Sequence, residues 1–139
     1  MENKKKEFSL QKGVWIDDWN YLKLANYLPY NAHTLVLATN GMIKFAISNG
    51  KKKSDYYPIR KETVRKFTAK EKGWSTREFR RNLKILEDYG IILRTHHSYT
   101  WNEEGIRNLL NGEIPPAKIN KTLEDIFKEK DPKWKPNQE

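Results

Sequence analysis

The segment from Ser75 to Gly90 constrains this chain more than any other. Ser75-Thr76-Arg77-Glu78 has the form of a capping box: the Ser75 hydroxyl can accept from the backbone N–H of Glu78, while the Glu78 carboxylate reaches back to the N–H of Ser75. Phe79, Leu83 and Leu86, with Ile85 beside them, then recur at helical spacing, and Gly90 closes the helix after Tyr89. The opposite side carries Thr76, Arg77, Arg80, Arg81 and Lys84. A helix of this kind lays one side on an apolar core and holds a cationic side in water, so the rest of the chain has to supply that core.

The 139 residues suit one domain with tails. Charged residues make up 32% of the chain and mean hydropathy is −0.94, yet 12% of residues are aromatic, so a small, dense core is within reach. The absence of cysteine excludes disulfides, thiol nucleophiles, thiolate zinc sites and iron–sulfur clusters. No run approaches the roughly 18 apolar residues that span a bilayer, and the lysine-rich start is not followed by the apolar stretch of a signal peptide. The expectation is a soluble, cytoplasmic protein with no membrane partner.

Three regions follow from the composition along the chain. Residues 1–12 are polar and lysine-rich and read as a flexible basic arm. Residues 13–112 read as the folded domain, and residues 113–139 as a linker with Pro115-Pro116 and a short amphipathic helical tail bearing Ile119, Leu123, Ile126 and Phe127. Within the domain, Val14, Ile16 and Trp19 suit a short strand or a docked lead-in, and Tyr21, Leu22, Leu24 and Leu28 keep the chain apolar up to Pro29. Asn31 is a good N-cap for a long helix ending near Gly50, with Leu35, Ala38, Met42, Phe45 and Ala46 facing inward. Lys51 to Asp55 reads as a solvated loop and Tyr56-Tyr57-Pro58-Ile59 as an extended piece, because a residue before proline is biased away from helix. A second helix is expected from Arg60 to Lys72, with Val64 and Phe67 inward and Gly73 at its end. After the capped helix, Ile91 to Arg94 and Tyr99 to Trp101 suggest a hairpin, and Asn102 opens a short helix with Ile106, Leu109 and Leu110 that ends at Gly112.

Charge is not spread evenly over this plan. The chain has 27 Lys and Arg against 18 Asp and Glu, a net +9, and residues 51–94 hold 14 of those cations against 6 of the anions, a net +8. Nearly all the excess falls on one stretch, as a binding face for a polyanion requires.

The order of helix, helix, capped helix and hairpin resembles a winged helix-turn-helix domain, mainly α with a small β-hairpin wing. The resemblance rests on Tyr57-Pro58, Lys61-Glu62-Thr63-Val64, Gly73-Trp74-Ser75 and the run from Phe79 to Ile92, whose Leu86-Glu87-Asp88-Tyr89-Gly90-Ile91-Ile92 ending is its most specific part. It is closest to the domains of phage and plasmid replication-initiator and regulatory proteins, and it covers about residues 29–101. Thr68 to Lys72 lengthen the second helix by about one turn relative to that pattern.

The resemblance implies sequence-specific binding of double-stranded DNA, with the third helix in the major groove. Arg77 and Arg81 are then expected at base edges, Arg80 and Lys84 at phosphates or bases, and Thr76 beside them. Arg60, Lys61, Arg65 and Lys66 would follow the backbone from the second helix, and Arg94, His96 and His97 would serve the wing. It implies a transcriptional regulator or a replication or origin-binding accessory protein. Since one small domain binds an isolated half-site weakly, a homodimer is expected, with the tail helix or the Trp15 and Trp19 segment as its contact. An acidic protein partner for the same basic face, or non-specific or single-stranded nucleic acid, is the competing reading.

Nothing in the residues favours an enzyme, a cofactor or a small-molecule ligand. Neighbouring side chains such as His96 and His97 diverge on a strand and make a poor metal site. Asp17-Asp18 and Glu103-Glu104 stand at element starts, where acids favour the helix dipole. Trp74 and Trp101 read as core residues, and His33 as a surface or capping residue.

Overall fold

Residues 8–113 are described in a computed structural model of the chain, so the tail with Ile119, Leu123, Ile126 and Phe127 lies outside the described residues. The helices are α1 (Asp18–Leu24), α2 (Tyr30–Ser48), α3 (Lys53–Tyr56), α4 (Lys61–Lys72), α5 (Thr76–Asp88) and α6 (Glu103–Leu110). The strands are β1 (Ile59–Arg60), β2 (Ile92–Arg94) and β3 (Ser98–Trp101). The architecture is mainly helical with one small antiparallel sheet, an α+β fold.

Helix ends follow local chemistry closely. The Ser75 hydroxyl accepts from the Glu78 N–H at 3.0 Å, the forward half of the expected capping box. At the other end of α5, Gly90 takes a positive φ of 78°, its N–H donates to Glu87 O and the Ile91 N–H donates to Leu86 O. That closure also stacks Ile91 on the core beside Leu86. The same pair of bonds ends α2 at Gly50 and α6 at Gly112.

α2 is the central element, and α4 and α5 pack on it. Its inner side is Ala32, Leu35, Val36, Thr39, Asn40 and Ile43, with Ala38 also buried. This corrects the expected stripe: Phe45 is exposed, and Met42 and Ala46 are only half-buried. Asn31 is not the cap either; the helix starts at Tyr30 directly after Pro29, leaving Asn31 in its exposed first turn. The reason is that Leu35-Val36-Leu37-Ala38 and Met42-Ile43 are apolar nearly all round, so spacing admits more than one rotation. Asn40 selects among them by donating to Ile16 O at 2.7 Å and accepting from the Ile16 N–H at 3.0 Å.

A similar correction applies to α4. Val64 and Thr68, four residues apart, face the core, whereas Phe67 is exposed. Thr68 fits there because it is small and its hydroxyl donates to Arg65 O at 3.1 Å.

The sheet runs β1-β3-β2, with Ile59 opposite Tyr99 and Ile92 opposite Trp101. The expected hairpin is β2–β3, and the extended piece before α4, with a cis Tyr57–Pro58 peptide, supplies the third strand. Tyr99 is buried at the centre, 2.7 Å from Thr39 Oγ. Since the Thr39 hydroxyl donates its one proton to Leu35 O, the Tyr99 hydroxyl is the donor to Thr39.

The amino-terminal part differs from expectation in its described portion. Residues 8–12 do not stand away as an arm: Phe8 is buried, its carbonyl accepts from the Arg107 guanidinium, and the Leu10 N–H donates to Glu103 at 2.7 Å. Val14 and Ile16 dock, and Trp101 Nε1 donates to Val14 O at 2.9 Å. Trp19 is not part of a strand but an exposed residue of α1, a helix that Asp17 caps through the Asn20 N–H. Lys53 to Asp55, expected as loop, and Tyr56, expected to open the extended piece, belong to α3.

Candidate nucleic-acid interface

The interface is built on a tight corner. α4 ends at Lys72, Gly73 adopts a left-handed φ of 70°, and three residues later α5 begins, so the two helices are joined by Gly73-Trp74-Ser75 alone. Trp74 packs against the core and fixes that connection. Phe79, Leu83 and Leu86 are buried to within 2% along one side of α5, which sets the rotation of the helix. Thr76, Arg77, Arg80, Arg81 and Lys84 are consequently all exposed on the other side, as the sequence indicated.

These residues differ in how far they are already engaged. Among the described residues, no hydrogen bond or ion pair holds the guanidinium of Arg77, Arg80 or Arg81, although Arg80 lies close enough to Glu62 to favour its ionised form. Lys84, by contrast, is paired with Asp88 at 2.8 Å one turn on. Arg65 is held by both oxygens of Glu62, with its Nε 2.9 Å from Oε2, and its other arm donates to Thr76 Oγ at 3.4 Å. That contact ties α4 to the first turn of α5. The bond to Arg65 holds the Glu62 carboxyl below its ordinary range and raises the guanidinium's own value.

The hairpin is attached to the same face. The Lys61 N–H donates to His97 O at 2.9 Å and its ammonium to His96 O at 3.1 Å, so the start of α4 grips the turn. Thr95 closes the turn through Ser98: its N–H donates to Ser98 O at 2.8 Å, and its hydroxyl accepts from the Ser98 N–H. Arg94 is paired with Glu87 of α5 at 2.9 Å. Burial lowers the Lys61 pKa, and the nearby Arg94 lowers it further while Glu87 opposes both, so α4, β2 and the end of α5 converge there. Arg60, Lys66, His96 and His97 are exposed, with the two imidazoles edge to face at 4.3 Å.

The residues expected at a DNA surface are therefore gathered on α4, α5 and the sheet, where Arg60 ends β1 rather than opening α4, but in two states: among the described residues Arg77, Arg80 and Arg81 make no ion pair, whereas Arg65, Lys84 and Arg94 are each paired with a carboxylate. Sequence reading missed Glu62 and Glu87, the anions that hold Arg65 and Arg94. The spacing of three between Glu62 and Arg65 could have shown the first pair; nothing in the sequence places Glu87 beside Arg94. Among the described residues, no cluster of acidic or imidazole side chains is arranged to hold a metal ion, and no helix is long and apolar enough to cross a membrane.

Fold and site together define a mainly helical α+β protein with a small sheet and a cationic helix face. Comparison with family models, curated proteins and solved structures gives no match.

Proposed function

We propose that this protein binds double-stranded DNA without catalysing a reaction, as a winged helix-turn-helix protein in which α4, the Gly73–Ser75 turn and α5 form the helix-turn-helix and β2–β3 form the wing. One observation carries the reading: Arg77, Arg80 and Arg81 project unpaired from a helix whose other side is locked into the core. A major groove about 12 Å wide admits such a helix, and each arginine fork can donate two bonds to guanine O6 and N7. Arg77 and Arg81 serve base edges, Arg80 and Lys84 serve phosphates or bases, and Lys84 exchanges Asp88 for its DNA contact. Arg60, Lys61, Arg65 and Lys66, with the hairpin's Arg94, His96 and His97, follow the backbone and set register. The resemblance to phage and plasmid proteins supports a transcriptional regulator or an origin-binding accessory role.

The test is capture of genomic fragments by purified protein at about 0.15 M salt, where weak phosphate-only binding is already reduced. A site upstream of a gene marks a regulator, and repeated sites in an origin mark a replication role. Arg77→Glu with Arg81→Glu is expected to lower affinity for the captured site by at least about 30-fold, since each bidentate contact is worth about 1–3 kcal/mol. Both side chains are exposed, so the urea midpoint should stay unchanged. Unchanged duplex affinity would refute the assignment of α5 and favour an acidic protein partner for this face.

A further inference from the structure

The outer side of α2 is apolar and uncovered among the described residues. Tyr30, Thr34, Leu37, Gly41 and Phe45 follow one another at spacings of four, three, four and four, which places them on one stripe opposite the buried face. Tyr30 is 82% exposed, Leu37 51% and Phe45 71%. Lys44 is the one Lys, Arg, Asp or Glu in the 19 residues of α2, in a chain that is 32% charged, and it is already paired with Asp18. Isolated exposed apolar residues are ordinary, whereas a charge-free stripe about 22 Å long on a basic protein has the composition of a docking surface.

α1 widens it. Asp18 and Tyr21 face α2, through Lys44 and His33 respectively, and Leu24 enters the core. Trp19 and Leu22 are the next positions round α1 and are 68% and 59% exposed. They extend the α2 stripe on one edge.

We propose that this surface is a two-fold interface between two copies of the chain, with the α2 helices packed antiparallel. The stripe is complementary to itself in that direction. Tyr30 of one copy meets the partner's Phe45, Thr34 meets the partner's Gly41, and Leu37 lies beside the axis. Such reciprocity is what an isologous contact requires. A Cβ on Gly41 would meet nothing within 4 Å, so the missing side chain serves no contact inside the chain and gives the partner's Thr34 room to approach. An aromatic side chain can bury about 150–250 Å², so the exposed parts of Trp19, Tyr30 and Phe45 with Leu22 and Leu37 amount to roughly 600 Å² per copy. With Thr34 and Gly41 between them and Ser48 at the end of the helix this approaches the about 800 Å² per partner of a stable interface. α4 and α5 pack on the inner side of α2, so the pairing leaves both basic faces open.

The interface is testable without DNA, and its failure leaves the DNA reading untouched. In sedimentation equilibrium at about 0.5 M salt, where like charges are screened, the full chain is expected to move from 16.6 kDa towards twice that mass with increasing concentration. Leu37→Glu brings two carboxylates to the axis and should weaken the dimer by at least about 100-fold, or about 2.7 kcal/mol, with an unchanged circular dichroism spectrum because the residue is exposed. The chain has no cysteine, so Leu37→Cys reports proximity directly: it should oxidise to a covalent dimer much faster than Ser9→Cys. A mass that stays at 16.6 kDa, with no preferential cross-linking through position 37, overturns the proposal. In that case a disulfide within one chain between Leu37→Cys and Leu123→Cys would assign the face to the chain's own carboxy-terminal segment.

Discussion

Asn40 shows how one side chain can settle what a pattern leaves open. It is 5% exposed in the middle of α2, and its amide satisfies both the N–H and the C=O of Ile16, a residue with no accessible surface. A buried donor and acceptor left unpaired each cost about 1–3 kcal/mol, so Asn40→Ala is expected to destabilise the fold by about 3 kcal/mol, read from the urea midpoint. A loss below about 1 kcal/mol would mean that water or another donor can replace the amide. Gly105 has an equally specific reason: a Cβ there would lie 1.8 Å from Gly90 O, so α6 can approach the end of α5 only at glycine. Neither role was visible in the sequence, because each is set by a backbone distant along the chain. The arginines of α5 were visible, since their own helix fixes the direction in which they point.

At the scale of elements, legibility followed locality. α5 came out as expected because its start, its stripe and its end are all encoded within 16 residues, from Ser75 to Gly90. Ser75→Ala should therefore lower stability by about 1 kcal/mol through loss of the cap, with only an indirect effect on DNA affinity. A thermal melt beside a binding titration separates the two effects, and a large affinity loss at unchanged stability would instead give the Ser75 hydroxyl a direct contact with DNA. α2 was located correctly but rotated wrongly, with Phe45 placed inside, because a helix that is apolar nearly all round has no preferred side of its own. α4 failed at Phe67 because its inner positions are Val64 and Thr68, and a buried threonine leaves no apolar signal in the sequence. α1 was missed as a helix because its seven residues have too few turns to show a period.

In the whole molecule the three-stranded sheet, α2 and the docked residues around Phe8 and Val14 close over one core, with Tyr99 at its centre. Burial raises the Tyr99 pKa well above its ordinary value of 10.0, and burial raises Tyr57 and Tyr21 in the same direction. The folded protein thus holds the Tyr99 phenol protonated where the unfolded chain would release it. Its contribution to stability is complete below pH 10 and declines as pH rises above it, by about 1.4 kcal/mol per pH unit while the phenol stays neutral. Alkaline unfolding is expected to begin just above that pH, and Tyr99→Phe should flatten the decline by one such increment; an unchanged slope would show that Tyr99 ionises in the folded state. The sequence by itself determined the capped helix, its cationic side, the glycine closures and the hairpin, because all of these depend on residues within a few turns of one another. Only the tertiary structure decided the rotation of α2, the third strand, the docking of Phe8 and the division of the basic face into free and paired cations, because each depends on contacts between segments far apart in the chain.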